Sequence, residues 1–121
     1  MKEKGDKGEL IASDFLTGQG YRILDRNFQT KFGELDLIAM DGDCLCFIEV
    51  KLRDNVESGY PFEFVTLAKQ RKISRVAEFY LMKTDAKYAH ARFDVVSIVN
   101  SGQESQIDLI KDAFEAPQYY S

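Results

Sequence analysis

The chain has no tryptophan, two prolines, two cysteines and one histidine among its 121 residues. Each scarcity closes off a class of protein. A structural zinc site takes four ligands from Cys and His, and His90 with a Cys44-x-Cys46 pair falls short of that. Two residues apart on one strand means about 7 Å, at roughly 3.3 Å of rise per residue, which is poor disulfide geometry. Both cysteines therefore read as buried thiols, and His90, placed just ahead of a strand, reads as inert. No apolar run approaches the ~18 residues of a membrane span. The opening "MKEKGDKGEL" lacks the apolar centre of a signal peptide. No membrane partner is expected, and the expected compartment is the cytoplasm.

What is present is an ordinary globular composition, 45% hydrophobic and 30% charged. The length suits a single domain spanning residues 1–121, with a core over about 8–114 and a loose tail, "PQYYS". The formal net charge of −4 argues against a broad nonspecific nucleic-acid surface. One segment runs against that balance. "KQRKISR", residues 69–75, holds Lys69, Arg71, Lys72 and Arg75 and no acid, which is compatible with a small, directional phosphate site.

Periodicity predicts a helix over 8–17, with Ile11, Ala12, Phe15 and Leu16 on one face and Gly18 and Gly20 as its stop. Strands follow at 21–28, 34–40 and 44–52, the last two joined by an Asp41-Gly42 type I′ turn. Residues 54–63 form a polar loop long enough to be functional. Thr66 caps a second helix running to about Met82, with Ile73, Val76, Ala77 and Tyr80 as its buried stripe. Strands at 91–99 and 106–110 complete the order, and "KDAFEA" starts a terminal helical turn. The order α-β-β-β-α-β-β predicts an α/β domain of two or three layers. Tyr21, Phe28, Phe32 and Phe47 are expected in its core.

"GELDLIAMDGDCLCFIEVKLR", residues 33–53, sets charges inside apolar strands. Alternation places Glu34, Asp36, Ile38 and Met40 on one face and Leu35, Leu37 and Ala39 on the other. On the next strand Leu45, Phe47, Glu49, Lys51 and Arg53 share a face, and both cysteines lie on the opposite one. Apolar residues on both faces predict a central hairpin covered on both sides. Counting back from the Asp41-Gly42 turn pairs Asp36 with Phe47 and Glu34 with Glu49, leaving Asp36 and Glu49 diagonal, about 7 Å apart. Carboxylates that close raise one another's pKa. A magnesium ion with its waters relieves the repulsion, and Lys51 beside the pair can hold an attacking water or meet charge on a phosphate. Glu9 lies on the rim of the first helix's apolar face. Lys69 lies in the first turn of the second, four residues before Ile73, on the sheet-facing side. Arg71, Lys72 and Arg75 face outward or sideways and can flank a polyanion, and a helix N-terminus favours anions near Thr66–Lys69. A structural ion-pair cluster accounts for the same residues equally well.

Separated segments in a fixed order carry a resemblance. They are "GELIASDFL" (8–16), "GYRILDRNF" (20–28), "GELDLIA" (33–39), "FIEVKLR" (47–53), "GYPFEFVTLAKQRKISRVAEFYL" (59–81), "RFDVV" (92–96) and "DAF" (112–114). The chain resembles the small bacterial YraN-like proteins, the UPF0102 family. That family is placed in the restriction-endonuclease-like PD-(D/E)xK nuclease superfamily and is similar to archaeal Holliday junction resolvases. The resemblance implies a central mixed five-stranded sheet flanked by helices. It maps the superfamily's Asp onto Asp36, its Glu and Lys onto Glu49 and Lys51, and its helical glutamate onto Glu9. A polar helper from the following helix falls on Lys69 or Gln70, and the motif's proline is replaced by Leu35. The implied activity is a Mg²⁺-dependent (or Mn²⁺-dependent) DNA endonuclease acting on structured or damaged DNA. In it Asp36, Glu49 and Glu9 hold the metal, and Arg53, Lys69, Gln70, Lys72 and Arg75 meet the DNA backbone. Resolvases work as dimers, so a homodimer is among the implied partners. The alternative is a nucleic-acid-binding protein that keeps the nuclease-like fold with little or no catalysis.

Overall fold

The computed structural model describes residues 3–54, 65–84 and 90–116. In chain order the elements are α1 (Glu3–Gly18), β1 (Arg22–Thr30), β2 (Gly33–Asp41), β3 (Cys44–Arg53), α2 (Leu67–Thr84), β4 (His90–Ser101) and β5 (Glu104–Phe114). The strands form one sheet in the order β1-β2-β3-β4-β5. Neighbouring strands run antiparallel, apart from the parallel pair of β3 and β4 that α2 connects. This is the mixed five-stranded α/β arrangement expected from the sequence. The polar loop at 54–63 and the tail "PQYYS" fall largely outside the described residues.

α1 ends where its glycines suggested, and the hydrogen bonds show how. Tyr21 N–H donates to the Leu16 carbonyl at 2.9 Å and Gly20 N–H to the Thr17 carbonyl at 3.1 Å. Gly20 holds φ 96 between them. That pairing is a Schellman cap, and its usual apolar contact is supplied by Leu16 and Tyr21, both buried in one cluster. Thr66 caps α2 as its sequence implied, the Lys69 N–H donating to Thr66 Oγ1 at 3.1 Å.

Two apolar layers sandwich the sheet. On the α2 side, Ile38, Met40, Leu45 and Phe47 pack with Ile73, Val76, Ala77 and Tyr80. On the α1 side, Leu37, Ala39, Cys46 and Ile48 pack with Ala12, Leu16, Val96 and Ile98. The central hairpin is therefore covered on both faces, and the thiols lie on the α1 side. Both cysteines are free. Burial and the nearby Asp94 carboxylate push the Cys46 thiol well above its ordinary pKa, so it stays protonated.

Three local expectations are corrected. The β2–β3 turn is Gly42-Asp43, not Asp41-Gly42, because Asp41 pairs with Cys44. Gly42 has φ 63 at the first central position, the requirement of a type II′ turn. Leu35 joins the α2-side cluster with Phe28 rather than following Leu37. Between the Arg26–Leu37 and Phe28–Leu35 pairs, Asn27 adopts φ 52, and strand alternation breaks there. Finally, "KDAFEA" supplies no helical turn. β5 continues to Phe114, past a register shift, with Asp112 at φ 54. The pull is tertiary, since Phe114 stacks on Phe93 of β4 with ring centroids 4.7 Å apart.

That shift is anchored by a buried polar network. Asp94 is 0% exposed. Its carboxylate accepts from the Asp112 N–H at 2.9 Å, the Tyr21 hydroxyl at 3.0 Å and the Arg92 guanidinium at 2.9 Å. Arg92 also reaches Asp41 at 2.7 Å, tying the hairpin end to β4, and Lys111 meets the same Asp41 carboxylate at 3.2 Å. The Arg92 bond, assisted by Lys111, holds the Asp41 carboxyl below its ordinary pKa. Removing one partner of a buried ion pair strands the others. Asp94→Ala should therefore cost about 3–5 kcal/mol of stability in urea unfolding, and a loss under about 1 kcal/mol would show the network to be dispensable.

Candidate functional site

The charged residues of the hairpin converge at the end remote from its turn. The β2–β3 ladder closes at Leu37–Ile48. Asp36 and Glu49 each stand one residue beyond that last pair, and their side chains meet in a hydrogen bond rather than lying about 7 Å apart on a diagonal. The shifted turn moves each partner by two residues, which leaves the side chains from Leu37 to Ala39 and from Cys46 to Ile48 on their expected faces. Beyond the ladder the Val50 N–H is free of β2, and it donates to Asp36 Oδ2 at 2.7 Å.

Glu49 is 5% exposed and faces α2. Its Oε2 lies 2.8 Å from Lys69 Nζ in the first turn of α2 and 3.6 Å from Lys51 Nζ two residues along β3. Burial alone would lower the Lys69 pKa, but the bond and charge of Glu49 outweigh it, and the net shift is upward. Asp36 behaves differently. Burial first and the Glu49 charge second push its carboxyl up to about 8, the Val50 bond offsetting only part. The field of Glu9 adds to the same shift, so α1 delivers that glutamate's charge to the pair. The helix sits close there: a Cβ on Gly8 would lie 3.6–3.7 Å from Val50 and Leu52 side chains.

Asp36, Glu49, Lys51 and Lys69 are thus brought together, with Glu9 within electrostatic reach. The remaining residues stand apart. Arg53 ends β3, half-buried, opposite Val99 of β4. The Gln70 side-chain amide donates to the Val65 carbonyl at 3.0 Å, which ties it to the start of its own helix. Lys72 is exposed, and the Arg75 guanidinium lies 4.6 Å over the Phe32 ring on the β1 side of α2. Among the described residues, no three His, Cys, Asp or Glu side chains form a group arranged to hold a metal ion. Sequence reasoning did not anticipate the backbone donor at Val50, whose availability depends on where the ladder stops. It also passed over the Arg92–Asp94–Tyr21 network, although two ionic residues inside the apolar run "ARFDVVSIV" were a visible signal.

The raised Asp36 pKa has a stability sign. Between about pH 4 and 8 the folded chain retains a proton that the unfolded chain has released, so this group's contribution falls as pH rises through that window. Asp36→Asn keeps an acceptor for Val50 and removes the charge. It should raise urea-unfolding stability by about 1–3 kcal/mol at pH 8 and change it little at pH 4. Equal effects at both pH values would mean that the two carboxyls are not in conflict.

The chain matches a family model described as "Uncharacterised protein family UPF0102" over residues 8–98. A UPF0102 protein of Caldicellulosiruptor saccharolyticus is 44% identical over 115 residues, covering 93% of this chain and 98% of the relative. One from Persephonella marina is 45% identical over 112 residues, covering 93% of each. One from Geobacter metallireducens is 46% identical over 114 residues, covering 94% and 93%.

Proposed function

The chain belongs to the UPF0102 family, and from that premise we propose that it is a nucleic-acid-binding protein on a nuclease-like scaffold, holding a phosphate where β3 meets the start of α2. The observation that supports this is the pairing of the Glu49 carboxylate with two ammonium groups, Lys69 at 2.8 Å and Lys51 at 3.6 Å. Burial and the Glu49 charge push the Asp36 carboxyl upward, toward its neutral form, while Glu49 sits between the Lys51 and Lys69 ammonium groups. The two ammonium groups stand at the positive end of the α2 dipole, with the Glu9 and Glu34 charges offsetting part of that field. A phosphate competes with Glu49 for both lysines without needing any added cation.

A second reading, metal-dependent phosphodiester hydrolysis, has its own observation in the contact between the Asp36 and Glu49 carboxyls. Their oxygens suit Mg²⁺ or Mn²⁺, which keep several waters, and Glu9 would assist directly or through one of them. When bound, such an ion would supply Lewis acidity at a phosphate oxygen. In this reading Asp36 gives up its proton, Lys69 releases Glu49 for the phosphate, and Lys51 steadies the attacking water and the developing charge. Arg53 and Lys72 would hold the flanking backbone.

Fluorescence anisotropy with labelled DNA in EDTA tests the first reading. Lys69→Ala should weaken all sequences alike and reduce the slope of log affinity against log salt by about one. Asp36→Asn should bind as tightly as the wild type. No binding at low salt would remove this reading. Cleavage of duplex, flap or four-way DNA that requires Mg²⁺ and is lost in Asp36→Asn would establish the second.

A further inference from the structure

A solvent-facing helix surface ordinarily carries polar residues. The outer face of α2 departs from this. Lys72, Arg75, Phe79, Met82 and Lys83 follow one another at helical spacing and all are exposed, Phe79 by 40% and Met82 by 76%. The β1–β2 turn lies beside them. There Thr30 Oγ1 accepts from the Phe32 N–H at 3.0 Å and donates to the Gly33 carbonyl at 3.2 Å, which holds Lys31 and Phe32 at the tip. Lys31, Phe32, Arg75, Glu78, Phe79 and Met82 line a shallow cavity of about 310 Å³. Cations stand over the rings. Arg75 and Lys31 lie 4.6 and 5.4 Å from the Phe32 centroid, and Lys83 lies 5.4 Å from that of Phe28, on which Phe79 leans at 6.4 Å.

We propose that this surface is a stacking platform for unpaired bases, so that the phosphate site takes nucleic acid with single-stranded character. The inference rests on the binding reading above and names its ligand class. One exposed ring, Phe79, set beside exposed Met82, half-buried Phe32 and several cations, suits a partner that presents flat π-faces on a negative backbone. Duplex DNA hides those faces, and an uncharged apolar partner would leave the cations unused. The one acid lining the cavity is Glu78, although the chain as a whole is acidic. At 1.5 Å per residue, Arg75 lies about 9 Å and Met82 about 20 Å along α2 from Lys69. Lys69 faces Glu49 and the platform lies on the outer face, so a strand whose phosphate is held by Lys69 reaches the platform by passing around α2 as well as along it.

The test uses the full chain with labelled oligo-dT and a duplex of equal length, in EDTA at fixed salt. The wild type should prefer oligo-dT. Phe79→Ala should weaken oligo-dT about tenfold and leave duplex affinity unchanged, since stacking and not charge is lost. Phe79→Trp should restore binding. The chain has no other tryptophan, so quenching of this one by oligo-dT reports stacking directly. Unchanged oligo-dT affinity in Phe79→Ala, with both ligands weakened by Lys69→Ala, would overturn the platform and leave the phosphate site standing. Failure of the wild type to bind either ligand would overturn the binding reading and the platform with it. A dimer seen by light scattering in the wild type and lost in Phe79→Ala would make the patch a self-interface and overturn the platform.

Discussion

The chemistry of this protein depends on two carboxyl groups that the β2–β3 pairing forces together. Neither Asp36 nor Glu49 can move away, because each is fixed to a central strand covered on both sides by apolar side chains. The fold therefore has to compensate the pair in place. It does so asymmetrically. Glu49 takes two lysines, one from its own strand and one from α2. Asp36 takes a backbone donor and a proton. An arrangement in which one acid is ion-paired and its neighbour is protonated is poised to exchange partners, since any arriving anion or cation redistributes the same few charges.

The two ends of the hairpin answer the same problem in opposite ways. At the turn end, Arg92 bridges Asp41 and Asp94, and every oxygen of Asp94 has a donor. Burial pushes the Tyr21 hydroxyl upward and Asp94 adds to the shift, so the phenol keeps its proton and serves as a donor. That network is closed and ties β2, β4 and β5 to Tyr21, the residue that precedes β1. At the open end the acids outnumber their tight partners, and Lys51 and Lys69 are shared. Saturation at one end and competition at the other is what separates structural charge from a site in this molecule.

Much of this was legible beforehand. Ile73, Val76, Ala77 and Tyr80 repeat at helical spacing and do face the sheet. Gly18, Gly20 and Thr66 marked helix ends through chemistry local to a few residues. Asp36, Glu49, Lys51 and Lys69 were grouped by alternation and by one helical turn. The spacing of Ile73, Val76, Ala77 and Tyr80 leaves Phe79 and Met82 off that stripe, and their exposure at 40% and 76% agrees with it. The end of β5 was misjudged. "KDAFEA" has local helical character, and only the stacking of Phe114 on Phe93 of another strand overrides it.

By itself the sequence determined the order of the main elements, the faces of the central strands from Leu37 to Ile48 and the identity of the converging charges. These follow from periods of 2 and 3.6 residues and from caps, all of which act over short stretches of chain. Only the tertiary structure decided that the Asp36 and Glu49 side chains meet in a hydrogen bond, that Val50 offers Asp36 a donor, and that Lys69 rather than Gln70 reaches Glu49. Those outcomes depend on where a ladder stops and how closely a helix packs on it. Both are settled by the balance of packing across distant segments, a quantity that no local stretch of residues carries.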